Sequence, residues 1–209
     1  MKKVRTSDGE PMTAGQLLAH QQTDAAQVEQ RAAFEADRLR RVAAARSELQ
    51  ALISDLRKLD VPVSSATELK PTLVESYPTI VDLLISHLEP PYSRAARVVV
   101  ASALITPTVR RSWKELLNKY VNETDTLVKG TLANAILVSV DDAGIRDVIE
   151  LIQSAANGDS RVILLEALVH SSIPEARAAL IAAASDQVLG LEARALLRGE
   201  GELLLPSDG

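Results

Sequence analysis

The 209-residue sequence has no cysteine, so it holds no disulfide, no thiolate nucleophile and no cysteine metal ligand. That composition fits a reducing compartment. Aromatic side chains are nearly as scarce, with one Trp, one Phe and three Tyr. Packing therefore falls to Ala, Leu and Val. These suit closely stacked helices and suit a β-sandwich poorly, because strands favour β-branched and aromatic residues. No stretch nears the about 18 consecutive apolar residues of a membrane span. Lys2, Lys3 and Arg5 have no apolar run behind them, so they form no signal peptide. There is no Gly-rich phosphate loop ending in Lys-Ser/Thr, no His-Glu-x-x-His and no Cys/His cluster. His20, His87 and His170 fall in three separate elements. Catalysis is left without a constellation. The expectation is a non-enzymatic, cytoplasmic protein with no cofactor and no metal.

Charge is present but uneven. The net charge of −5 divides into +2 over residues 1–124 and −7 over residues 125–209. A general nucleic-acid binder usually shows a basic surplus, which this chain lacks. The acidic C-terminal part favours a basic partner, with solubility as the plainer explanation.

A repeat carries the organisation. "RVVVASAL" from Arg97, "KGTLANAI" from Lys129 and "RVILLEAL" from Arg161 each begin with a cation and end small-then-aliphatic, at intervals of 32 residues. A degenerate fourth copy, "LEARALLRG", follows from Leu191 at a shorter interval. Each copy is followed by a break and a second helical pattern. Val109, Trp113, Leu116, Leu117 and Tyr120 share one face, as do Ile145, Val148, Ile149 and Ile152. Thr106-Pro107, Asp141-Asp142 and Ser171-Ser172 stand at the breaks. Ser172 and Glu175 have capping-box spacing, with Pro174 in the first turn. Ser65 and Glu68 have the same spacing upstream, before "SYPTIVDLLISHLEPPYS", where Pro90-Pro91 forces a stop. Asn157-Gly158 and Gly199 read as helix stops.

This pattern of helix, break, helix and turn resembles the HEAT-repeat family in its short bacterial form, over about residues 61–199. Arg111, Arg146 and Arg177 sit where that family often carries an Arg early in the second helix. Asp141 matches its Asp near the helix–helix turn, while Thr106 and Ser172 depart from it. The resemblance implies an all-α, right-handed HEAT-like solenoid of about four helix pairs. The tetratricopeptide pattern is close in length, but its Trp, Gly, Tyr and Pro landmarks are missing.

Residues 1–12 read as a tail, 13–60 as a long N-terminal helix or helices and 200–209 as a C-terminal tail. From Asp24 to Leu59 there is no Pro and no Gly. Val42, Leu49 and Leu56 repeat every seven residues, with Ala45, Leu52 and Leu59 as a companion row. Such a helix either covers the first repeats, as a solenoid end requires, or projects and pairs, including with a second copy through residues 24–59.

Other candidates are local. Glu166 and His170 are four apart on one helix face, as an ordinary exposed pair or an acid–base pair. Asp141-Asp142 reads as a helix N-cap rather than a cation site. Arg97, Lys129 and Arg161 form a column that either pairs between repeats or binds an acidic partner. Arg110, Arg111, Lys114, Asn118 and Lys119 cluster on the helix carrying Trp113, the one place where phosphates would be gripped. In the resembling solenoids the second helices line the binding side. That points to Arg110, Lys114, Asn118, Arg146, Glu150, Gln153 and Arg177 as the partner-binding residues of a protein-interaction scaffold, of inhibitor or immunity type against a basic toxin. A nucleic-acid-binding protein using the Arg110–Lys119 helix is the alternative.

Overall fold

A computed structural model describes residues 47–89 and 91–203, with Ala36, Arg40 and 43–45 besides. Among the described residues every regular element is helical and no strand occurs. The α-helices are α1 (Gln50–Lys58), α2 (Pro71–Ser76), α3 (Val81–Ser86), α4 (Arg94–Ala103) and α5 (Trp113–Asn122), followed by α6 (Thr126–Ser139), α7 (Ile145–Gln153), α8 (Arg161–Val169), α9 (Pro174–Ala183) and α10 (Gly190–Leu203). Of the two units into which the chain divides, Met1–Ala44 and Ala45–Gly209, the second holds all of them.

Local chemistry starts the helices. Ser93 caps α4, its hydroxyl accepting from Ala96 N at 3.3 Å. Asp125 caps α6, accepting from the backbone N–H of Leu127 and Val128 at 3.0 and 3.2 Å. Pro71, Pro107 and Pro174 sit in first turns, where their missing N–H costs nothing. The second helical pattern after Thr106 begins as a 3₁₀ stretch, Pro107–Ser112, before α5 continues it.

Two rows result. In the first, α2, α4, α6, α8 and α10 each pack on the next. In the second, α3 packs on α4, α5 on α6, α7 on α8, and α9 on both α8 and α10. Position in the rows explains the side chains. Helices α6 and α8 are covered on several sides, burying Val128, Leu132, Ala133, Ala135 and Ile136 in one and Leu164, Leu165, Ala167 and Leu168 in the other. Helix α7 buries a single stripe, Ile145, Val148, Leu151 and Ile152, and keeps a polar face outward. Buried alanines such as Ala96, Ala103, Ala133 and Ala167 let neighbouring axes approach, while each buried Leu contributes about 2 kcal/mol.

At the front, Ala45, Leu49, Leu52 and Leu56 of the expected seam are buried in this core, and Leu59 is exposed where the helix ends. Asp60, at φ 58°, makes the left-handed stop. That part of the seam is used within the chain. Residues 1–35 and most of 36–42, including Val42 and both expected helix starts, lie outside the described residues, as do residues 204–209.

Three expectations change. Helix α10 runs through Gly199 to Leu203. A glycine mid-helix costs about 1 kcal/mol, which a helix packed on its neighbours tolerates. The Ser172/Glu175 capping box does not form: Ile173 is the N-cap of α9, and Ser172 spends its hydroxyl on Asp142 at 2.5 Å. A bond to a carboxylate outweighs a neutral cap. Upstream, Ser65 is the N-cap of a short 3₁₀ turn, Ala66–Glu68, where the spacing places it, but its hydroxyl caps no backbone N–H. Glu68 instead accepts from the Ser64 backbone N–H at 3.1 Å, from the Ser64 hydroxyl and from the Ser65 hydroxyl at 3.4 Å.

Candidate functional site

The periodic cations answer first. Arg97 Nε donates to Leu88 O at 2.6 Å, Lys129 Nζ to Val121 O at 3.4 Å, and Arg161 Nη1 to Ile152 O at 3.0 Å. Arg194 Nη1 donates to Ala184 O at 2.5 Å, which supplies the fourth member 33 residues after Arg161. The degenerate copy is therefore in register by its cation, not displaced to a shorter interval. Each acceptor lies at or just beyond the end of a second-row helix, where carbonyls lack intrahelical partners and the helix dipole favours a cation. The column is thus a set of bonds between consecutive elements. Arg97 also pairs with Glu123, and Arg161 with Asp186 at 3.4 Å.

The opposite edge, at the turns within helix pairs, has its own ladder. Thr106 donates to Glu75 at 3.1 Å, Arg110 pairs with Asp141, and Ser171 and Ser172 donate to Asp142 at 2.7 and 2.5 Å. Thr106, Asp141 and Ser172, aligned by their place at the turns, each bond to the preceding pair, although only one step uses Arg and Asp. Asp141 also caps its turn by accepting from Gly144 N at 3.0 Å. The hydroxyls of Ser172 and Ser171 hold the Asp142 carboxyl below the usual range.

Trp113 is half-buried, and its indole N–H donates to Asp147 across to α7 at 2.6 Å. The Arg110 guanidinium stacks over this ring, 4.5 Å from its centroid. Its Nη1 is buried without a hydrogen-bond partner. A methyl on Gly144 would collide with that nitrogen, so glycine makes room for the clasp.

These contacts sort the predicted residues. Arg110 is committed to Asp141 and Trp113. Arg146, exposed, reaches Glu175 at 3.1 Å. Lys114, Asn118, Glu150, Gln153 and Arg177 are exposed on α5, α7 and α9, with Asn118 accepting from Asn122 Nδ2 at 2.8 Å. In the basic cluster, Arg110 and Lys119 are tied to Asp141 and Glu89, leaving Arg111 and Lys114 exposed. Glu166 and His170 stand 3.8 Å apart, both well exposed. Among the described residues no His, Asp or Glu group could hold a metal ion, and no helix is long and apolar enough to cross a membrane.

Sequence reasoning did not single out Glu123 and Asp147, nor a cleft of about 590 Å³ between the end of α5 and the start of α8. Lys129, Val121, Gly130, Asn157, Ser160 and Ile163 help line it. Glu123 follows α5 in Asn-Glu-Thr-Asp and is buried, accepting from the N–H groups of Thr124 and Asp125 at 2.9 and 2.7 Å. Burial lowers the Lys129 pKa, against the pull of Glu123. No family model, no curated protein and no solved structure matches the chain.

Proposed function

We propose that the chain is a non-enzymatic protein-interaction scaffold, a right-handed HEAT-like solenoid that takes a partner on the exposed face of its second-row helices. One observation carries the reading. Arg97, Arg110 and Arg161 are bonded to neighbouring pairs, and Lys114, Asn118, Glu150, Gln153 and Arg177 are exposed on three successive second-row helices. A face of mixed charge on stacked helices offers many weak polar contacts over a broad area, the character of a reversible protein interface. Within this reading, the acidic surplus of residues 125–209 favours a cytoplasmic inhibitor or immunity protein for a basic target.

The test is capture of partners from lysate of the source cell with the full chain, with and without nuclease, beside Lys114→Glu/Arg177→Glu. Neither side chain is buried, so the variant leaves the core intact, and a thermal melt beside wild type checks its fold. A defined protein that survives nuclease and is lost with the variant supports the scaffold. Material recovered only without nuclease, and lost with Arg111→Ala/Lys114→Ala, transfers the function to nucleic acid.

A further inference from the structure

Lys129 breaks the pattern of its own column. Arg97 and Arg161 each meet a carbonyl and an acid, the acids being Glu123, 26 residues on, and Asp186, 25 residues on. The same count from Lys129 reaches Ser154 and Ala155, and neither carries a charge. Lys129 is only 8% exposed. Its ammonium has three donors, yet its one hydrogen bond among the described residues is the 3.4 Å contact to Val121 O. That length is beyond the ordinary N–H···O range. Beyond it lies the face of Tyr120, 5.0 Å away. Glu123 acts on Lys129 only through space, because its oxygens are taken by Arg97, Thr124 N and Asp125 N. A buried ammonium without a direct counter-ion is costly, and such groups are ordinarily paired.

The cleft opens at this step. Val121, Gly130, Ala156 and Ile163 give it apolar walls. Other polar groups of its walls are already spent: Asn157 Nδ2, buried, donates to Leu151 O at 2.9 Å, Ser160 Oγ, half-buried, donates to Asn157 O at 2.8 Å beside the Tyr120 hydroxyl, and the buried Glu123 carboxylate is held by Arg97, Thr124 N and Asp125 N. Asp159 stands exposed at the rim, where solvent screens it. A volume of about 590 Å³ is that of a small-molecule site.

We propose that this cleft binds a carboxylate carried on a short aliphatic body, with Lys129 donating to the carboxylate in the place that Glu123 and Asp186 fill at the neighbouring steps. The apolar walls take the body. The carboxylate belongs either to a free aliphatic acid or to the C-terminus of a peptide, and two arms of one experiment separate these.

The full-length protein, labelled for NMR, is titrated with hexanoate and hexanamide, and with acetyl-Ala-Leu as its free acid and its amide. Either acid is expected to shift the amides of Gly130, Gly158 and Ser160, and its amide is not. The acid that acts identifies the source. Lys129→Met keeps the length and removes the charge, and should bind about tenfold more weakly or worse, the scale of one charge-assisted hydrogen bond. A second measurement needs no variant. The bound acid should raise the Lys129 pKa, followed by its side-chain resonance. Failure of both acids to shift these amides overturns the proposal. So does equal binding by Lys129→Met, or binding that leaves the Lys129 titration in place.

Discussion

Removing the Arg161 guanidinium tests whether the cation column holds consecutive helices together. Arg161 is 4% exposed, and its Nε and Nη1 donate to Gly158 O and Ile152 O, both at 3.0 Å. Arg161→Met keeps the apolar stem and strands the Ile152 carbonyl, while the exposed Gly158 O loses the guanidinium but still accepts from the Arg161 backbone N–H. Each hydrogen bond from a charged donor is worth about 1.5–3 kcal/mol. Relief of the desolvation that a buried guanidinium suffers offsets part of this, leaving a net loss of about 2–4 kcal/mol. The contact to Asp186 adds little, because it is longer at 3.4 Å and its acid is one-third exposed. For a chain of this size 1 kcal/mol moves the melting temperature by about 2–4 °C, so a fall of roughly 10 °C is expected. Thermal melts and urea titrations followed by circular dichroism measure it, with an unchanged urea slope marking a true stability effect. Arg194→Met is the control. Arg194 is exposed and donates to Ala184 O alone, so its loss is held to about 1 kcal/mol. An Arg161 variant within about 0.5 kcal/mol of wild type, or one no less stable than the Arg194 variant, would refute the reasoning.

Two more perturbations probe the opposite edge. Gly144→Ala pushes a methyl into the Arg110–Trp113 clasp and should cost about 1–2 kcal/mol. Trp113 is the sole tryptophan, so its fluorescence should shift to longer wavelength as the ring gains water. Asp142, held below its ordinary pKa by Ser172 and Ser171, contributes stability that is complete above the usual carboxylate range and disappears as pH falls through its lower folded value. Asp142→Asn lacks that contribution at every pH. Urea midpoints of wild type and variant should therefore differ at neutral pH and draw together as pH falls below the usual carboxylate range.

The two edges of the rows share one physical requirement met by different residues. Each added helix pair must satisfy the end groups of the pair before it, because burial removes them from water. At the between-pair turns the group is always a carbonyl, so the partner is always a cation. At the within-pair turns the groups are side chains, so the pairing is free to change chemistry while keeping its place. Thr106 with Glu75, Arg110 with Asp141 and Ser172 with Asp142 are three such solutions.

That difference decides what the sequence discloses. The 32-residue spacing of Arg97, Lys129 and Arg161 is visible because a carbonyl at a helix end accepts only from a donor, and long cationic side chains supply it. The helix pairs are visible for the same reason: each second-row helix hides one stripe, so Val109, Leu116 and Tyr120 recur at helical spacing. Gly199 misleads because a glycine's local preference yields to packing along α10. The binding face is less legible. Arg110 looks like the strongest cation of its cluster, yet it is turned inward by Asp141 and Trp113, whose approach depends on the glycine at 144. No short window of sequence contains all four residues. Lys129 shows the same limit in reverse. Its spacing equals that of its arginine counterparts, but a single amine cannot make the two-nitrogen contact that Arg161 makes to Gly158 and Ile152. With Ser154 and Ala155 standing where its neighbours' acids stand, the substitution of Lys for Arg opens a donor toward the cleft. A regular column reads as structure; the member that carries an amine in place of a guanidinium, set in the cleft wall, is where binding chemistry becomes available.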